Sequence, residues 1–235
     1  MSKLLSLLQN NARNTSPIRI KLLGDSITQG VGGTGFCQDG ERIIDAFARN
    51  RNGYCWANLF KDYVEQKYNC IVTNNACSGT KIEYIIENYD KLVDKNDDFL
   101  ICMIGTNNRH QDKNTGERRD TKEFAREFYD NVLTLNDKIR KDGKTVLFLS
   151  SIPASVCNEE RCDTLWRILH MNDINAIYKA AQEKTGFLFV SLYDLFTDYL
   201  SKGNLPLDAC LSDGLHPNDK GYRIMFDLLR ENLQL

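Results

Sequence analysis

No apolar run in this sequence approaches the roughly 20 residues that a membrane-spanning helix needs. Charge of one sign is missing as well: 30 Lys and Arg stand against 32 Asp and Glu, a formal net charge of −2. No basic block of binding size occurs, so nucleic acid is not an expected partner. The short charged clusters at 49–51 and 117–119 read as solvated loops. None of the eight cysteines forms Cys-x-x-Cys. The first residues, Met-Ser-Lys-Leu-Leu-Ser-Leu-Leu, lack the long apolar stretch and the Ala-x-Ala site of a secretory leader. The expectation is a cytoplasmic protein with reduced thiols rather than a disulfide framework. Cys157 and Cys162 are the only pair close in sequence, and no role is expected of them.

Two further absences narrow the chemistry. The Gly-rich passage from Gly30 to Gly35 presents neither Gly-x-Gly-x-x-Gly nor the Walker pattern in the right context, which disfavours a flavin or nucleotide cofactor. The three histidines, His110, His170 and His216, show no paired ligand spacing, and His170 falls in an expected amphipathic helix, so no metal is expected either.

What remains is a chain that is 42% hydrophobic and 26% charged over 235 residues. That suits one domain over 1–235, with residues 1–16 as an N-terminal helical extension. Apolar runs with strand character occur at Ile18 to Leu23, Cys70 to Thr73, Phe99 to Ile104, Thr145 to Ser151 and Leu188 to Ser191. Between them, helical spacing predicts helices over 56–67, 82–89, from Thr121 to near Gly143, from Leu165 through Ala181 to Gly186, over 193–200, and over 222–233. Ile43, Ile44, Phe47 and Ala48 suggest a short helix, and 154–163 reads as a loop. Five strands alternating with helices call for a parallel sheet covered on both faces, a three-layer α/β/α domain.

The turns that follow the strands carry the chemistry. Gly24-Asp25-Ser26 places a hydroxyl just past a strand end, where ligands bind in open α/β sheets. A serine is a weak nucleophile until a base takes its proton. His216 would serve as that base, and Asp213, three residues earlier, would hold its ring. The backbone N–H groups of Ser26 and Gly79 and the side-chain amide of Asn107 would suit an oxyanion. Bland readings compete: Ser26 as a helix N-cap, Gly79 as a turn residue, Asn107 as a cap, and 213–217 as an ordinary loop in which Pro217 opens the last helix. Trp56, Tyr54 and Phe36 read as core before pocket.

The turns Gly24-Asp25-Ser26-Ile27-Thr28, Asn74-x-x-x-Ser78-Gly79, Gly105-x-Asn107 and Asp213-x-x-His216-Pro217 resemble, in order, the four signature blocks of the SGNH (GDSL) hydrolases. The resemblance runs from about Ile18 to the C-terminal helix. It implies a flavodoxin-like α/β/α fold and metal-independent ester hydrolysis. Ser26 would be the nucleophile, His216 the base, Asp213 its partner, and Gly79 and Asn107 oxyanion donors. The family's substrates include lipid esters, thioesters and acetylated sugars; a short acyl group such as acetyl, on a small-molecule or glycan ester, is the reading favoured here. A transacylase acting on a sugar or glycan and a non-catalytic ligand-binding domain are the alternatives. The chain departs from the pattern twice: Ala76 stands where glycine is frequent, and Asn108 stands where aspartate usually follows Asn107. The second departure puts in question how the Asn107 turn is held.

Overall fold

The computed structural model describes residues 2–11, 16–36, 46–112, 114–160 and 166–235. Five parallel strands make one sheet: β1 (Ile18–Gly24), β2 (Cys70–Asn74), β3 (Phe99–Met103), β4 (Thr145–Leu149) and β5 (Leu188–Val190), in the order β2-β1-β3-β4-β5. Helices cover both faces, as the alternation of strand and helix requires. The pleat sorts the strand residues between two cores. Ile20, Leu22, Phe99, Ile101, Met103, Leu147 and Leu149 join one cluster. Their neighbours Leu23, Leu100, Cys102, Val146 and Phe148 join the other. This is why the strands read as unbroken apolar runs instead of alternating ones.

The first core is closed by α1 (Lys3–Asn10), α4 (Trp56–Lys67), α10 (Leu192–Lys202) and α11 (Asp219–Leu233). Leu4 and Leu8 of α1 are buried in it, and Trp56 lies there at 1% exposure, a core residue as its helical spacing implied. The second core is closed by α5 (Ile82–Glu87), α6 (Tyr89–Leu92), α7 (Thr121–Lys141) and α9 (Met171–Thr185). In α7 the stripe Phe124, Phe128, Val132, Leu135 and Ile139 faces inward as the 3.6-residue period demands. Three short helices, α2 (Ser26–Gln29), α3 (Ala46–Arg49) and α8 (Val156–Glu160), lie in the connections.

Several sequence expectations need correction. The helix expected from Leu165 begins at Met171, and His170 is its N-cap instead of an interior residue. Ile168 and Leu169, apolar at helical spacing, are non-helical because their N–H groups donate to the carbonyl of Arg109 (2.8 and 3.2 Å). Within 154–163, α8 forms where a loop was expected. The fourth strand ends at Leu149, after which Ser150 N–H donates to Val190 O. The helix expected over 82–89 divides into α5 and α6 around Asn88. The last helix starts at Asp219 with Asn218 as its N-cap, so Pro217 does not open it. Cys37, Ile43, Ile44, Cys162 and Leu165 lie outside the described residues.

Candidate active site

The strand order reverses direction between β1 and β3, and a crevice forms beyond the carboxyl ends of such neighbours. Ser26 follows β1 and Asn107 follows β3 by four residues, so both flank that crevice. The first turn is tight. A Cβ on Gly24 would lie 2.5 Å from Thr28 Oγ1 and 2.7 Å from Met103 O, so glycine alone fits. Asp25, not Ser26, caps α2, its Oδ1 accepting from Ile27 N–H at 3.0 Å. That frees the Ser26 hydroxyl and disposes of the capping alternative. Burial pushes the Asp25 carboxyl above its ordinary range, against the pull of the Ile27 N–H and of the charge on Arg109.

Asp213 organises the turn that carries His216. Its Oδ1 accepts from the N–H groups of Leu215 (3.0 Å) and His216 (2.8 Å). Its Oδ2 lies 2.7 Å from His216 Nδ1. Burial raises the Asp213 carboxyl, but hydrogen bonds from the His216 backbone and ring and from Leu215 outweigh it, and the net direction is down. An ionised carboxylate only accepts, so Nδ1 carries the ring proton and Nε2 presents a lone pair. His216 Nε2 lies 2.9 Å from Ser26 Oγ, across 190 residues of chain. In that arrangement the hydroxyl donates to the ring, which can take its proton. The Gly-rich turn at 30–33 backs the same loop: a Cβ on Gly32 would lie 3.0 Å from His216 Cβ, and Tyr222 Oη donates to Val31 O at 2.6 Å.

The second and third turns lie together. Cys77 N–H donates to Gly24 O (3.2 Å), Ser78 N–H to Gln29 Oε1 (2.8 Å), and Asn74 Nδ2 to Thr28 O (3.0 Å). Ala76, at the first departure from the family pattern, donates its N–H to Asn74 Oδ1 (3.0 Å) and is buried. Asn107 Nδ2 donates to Thr80 O at 3.0 Å, tying its turn to the residue after Gly79 and leaving its second amide hydrogen for another acceptor. The N–H groups of Ser26 and Gly79 have no acceptor among the described residues.

Asn108 shows how the Asn107 turn is held without aspartate. Its Oδ1 accepts from Ile82 N–H (3.0 Å), while its Nδ2 donates to both oxygens of Glu83 (3.1 and 2.9 Å). Asn131 Nδ2 donates to the same carboxylate at 3.0 Å. Arg109, completely buried, donates from Nε to Thr106 O (3.0 Å) and pairs with Glu159 (3.1 Å). Sequence reasoning missed Gln29, Glu83 and Arg109, because partners such as Ser78, Asn131 and Glu159 lie far along the chain from them and no local pattern marks them.

His110 and His170 take other parts. His110 stacks on Trp166, with ring centroids 4.5 Å apart, and its Nε2 accepts from Arg167 Nε at 2.9 Å. Burial, together with the charges of Arg167, Arg109 and Lys81, pushes it down to about 3, so it is neutral at ordinary pH. His170 Nδ1 lies 2.9 Å from Glu159 on the surface. Among the described residues no group of three or more His, Cys, Asp or Glu side chains is placed to hold a metal ion. No helix there is long and apolar enough to cross a membrane.

No curated protein matches this sequence. Among solved structures, an acetylxylan esterase from Geobacillus stearothermophilus superposes with a TM-score of 0.68 at 20% identity, covering 94% of this chain and 95% of that one. A catalytic mutant of the same enzyme, with an aspartate replaced, gives 0.69 at 19% identity over the same shares. A two-domain esterase active on acetylated mannans, crystallised with mannopentaose, gives 0.66 at 16% identity; the match covers 98% of this chain and 53% of that one, about half its length. These likenesses establish a common α/β/α fold of the SGNH type. The model of the GDSL-like lipase/acylhydrolase family matches residues 22–224, a span that holds all four turns described above. The chain belongs to the GDSL-like lipase/acylhydrolase family and is a carboxylic ester hydrolase.

Proposed function

We propose that this enzyme removes short acyl groups, acetyl first among them, from carbohydrate esters through an acyl-enzyme on Ser26. The observation that carries the reading is the hydrogen-bonded chain Ser26 Oγ–His216 Nε2 (2.9 Å) and His216 Nδ1–Asp213 Oδ2 (2.7 Å). Ser26 Oγ attacks the ester carbonyl as its proton passes to Nε2. Asp213 fixes the tautomer and stabilises the imidazolium. The oxyanion that forms meets the N–H groups of Ser26 and Gly79 and the Asn107 amide; losing one such donor typically costs about 10²–10³ in rate. Collapse expels the sugar hydroxyl, which takes the proton from Nε2. Water then repeats the sequence at the acyl-enzyme and releases the carboxylic acid. The carbohydrate side of the reading draws on the two structural neighbours, one an acetylxylan esterase and the other active on acetylated mannans.

The test compares wild type and Ser26→Ala on p-nitrophenyl acetate and on acetylated xylo- and manno-oligosaccharides. Ser26→Ala is expected to lower kcat by at least about 10³-fold on every substrate with the fold intact by circular dichroism. Turnover that survives the substitution would overturn the assignment.

A further inference from the structure

We infer that the cleft opening from Gly79, between α5 and the start of α7, holds the sugar units on the alcohol side of the scissile ester, and that it selects neutral glycans over acidic ones. The inference rests on the carbohydrate reading above and deepens it. The cleft has a volume of about 480 Å³, within the range of about 300–1,000 Å³ typical of small-molecule sites. Gly79, one of the oxyanion candidates, lines it, and so does Asn108, the neighbour of Asn107. Gly79 has φ +77°, and a Cβ built on it would meet no atom within 4 Å, so the space above it is open. By contrast, a larger cavity of about 630 Å³ beside Tyr193 and Pro206 touches none of Ser26, Gly79, Asn107, Asp213 or His216.

An ester bound at Ser26 has an acyl half and an alcohol half, and the lining decides which half enters. Charged walls do not suit an acetyl methyl group. Sugar hydroxyls, each both donor and acceptor, suit walls that offer both senses at fixed positions. Arg119 and Glu127 supply such a surface. Their side chains form a two-point pair, with Arg119 Nη1 2.8 Å from Glu127 Oε2, and the guanidinium lies 5.2 Å from the centre of the Phe124 ring. Tyr84 adds an aromatic side chain to the wall. The charge balance sets the class of sugar. Glu83, Glu87, Asp112 and Glu127 outnumber Lys81 and Arg119 along the lining, so the local field opposes a carboxylate on the substrate.

The experiment measures kcat/KM on an acetylated neutral xylotriose, on the same oligosaccharide carrying a glucuronic acid, and on p-nitrophenyl acetate. Arg119 and Glu87 are chosen for change because one sits in a solvent-exposed ion pair and the other is exposed on α5, so neither replacement threatens folding. In Arg119→Ala, the ratio of xylotriose to p-nitrophenyl acetate kcat/KM is expected to fall about fivefold, mainly through KM, as for the loss of one or two hydrogen bonds. Tyr193→Ala, in the other cavity, keeps the wild-type ratio. Wild type prefers the neutral oligosaccharide to the acidic one, and Glu87→Lys narrows that preference. An unchanged ratio in Arg119→Ala, or equal rates on neutral and acidic substrates in wild type, overturns the inference while leaving Ser26 chemistry standing. Loss of serine dependence in Ser26→Ala controls would instead remove the reading beneath it.

Discussion

An amide and a carboxylate have nearly the same shape, so what separates Asn108 from the aspartate usual in its family is hydrogen-bonding sense. Either side chain can accept the Ile82 N–H, but only the amide can also donate to Glu83. Asn108 is buried, and an aspartate there would set two carboxylates about 3 Å apart out of water, where one must take up a proton or move away. Asn108→Asp is therefore expected to cost about 2 kcal/mol in urea unfolding and to lower turnover, because the Asn107 amide rides on the same turn. Glu83→Gln in the same chain restores most of the loss, since a glutamine can donate to the new carboxylate. Independent, additive effects of the two changes would show that the contact is idle. At this scale the departure from the family pattern and the identity of residue 83 are one feature.

At the scale of elements, the short helix α8 joins two turns that the sequence presents as unrelated. Ser155 N–H, just before it, donates to Gly214 O (2.8 Å) in the turn of Asp213 and His216. Asn158 Oδ1 accepts from Arg109 Nη2 (3.3 Å) and Arg167 Nη1 (2.8 Å), and Arg109 in turn holds Thr106 O beside Asn107. Asn158→Ala strips acceptors from two buried guanidinium groups, each charged hydrogen bond being worth about 1.5–3 kcal/mol. The variant is expected to lose roughly 2–4 kcal/mol in urea unfolding and several-fold in kcat on p-nitrophenyl acetate; full stability with full activity would contradict the bridge. None of this was legible in advance. The strands were, because burial on both faces writes an unbroken apolar run such as Phe99 to Ile104, and so was α7, because one buried stripe writes a 3.6-residue period. The turns of the candidate site were legible because Ser26, Gly79, Asn107, Asp213 and His216 are polar or glycine residues at strand ends or in the last turn. Ile168 and Leu169 misled because their apolar spacing fits a helix, while Arg109, 59 and 60 residues earlier, claims their N–H groups. Local periodicity encodes which side faces a core. It does not encode which distant carbonyl a backbone group will find.

For the molecule as a whole, His110 makes folding depend on pH in a known direction. Its ring takes the Arg167 Nε–H on Nε2, so adding a proton there would set N–H against N–H beside three cationic side chains. Its folded value of about 3 lies below the ordinary 6.5 of the unfolded chain. Above 6.5 the ring is neutral in both states and contributes no pH dependence. Between 6.5 and about 3 the unfolded chain binds a proton that the folded chain refuses, so stability falls as pH falls. The slope from one such group approaches about 1.4 kcal/mol per pH unit as an upper figure, reduced here because the ring is only partly buried. Carboxylates held low, Asp213 among them, add their loss at more acid pH and share the same sign. His110→Gln separates the contributions: glutamine keeps a neutral acceptor for Arg167 and cannot titrate. Urea unfolding at pH 7, 6 and 5 is expected to give a flatter profile for His110→Gln than for wild type. The difference between the two curves should narrow or change sign toward pH 5, whatever the substitution costs at neutrality. Parallel curves would mean that the folded protein accepts the His110 proton as readily as the unfolded chain, and that the Arg167 contact gives way without cost.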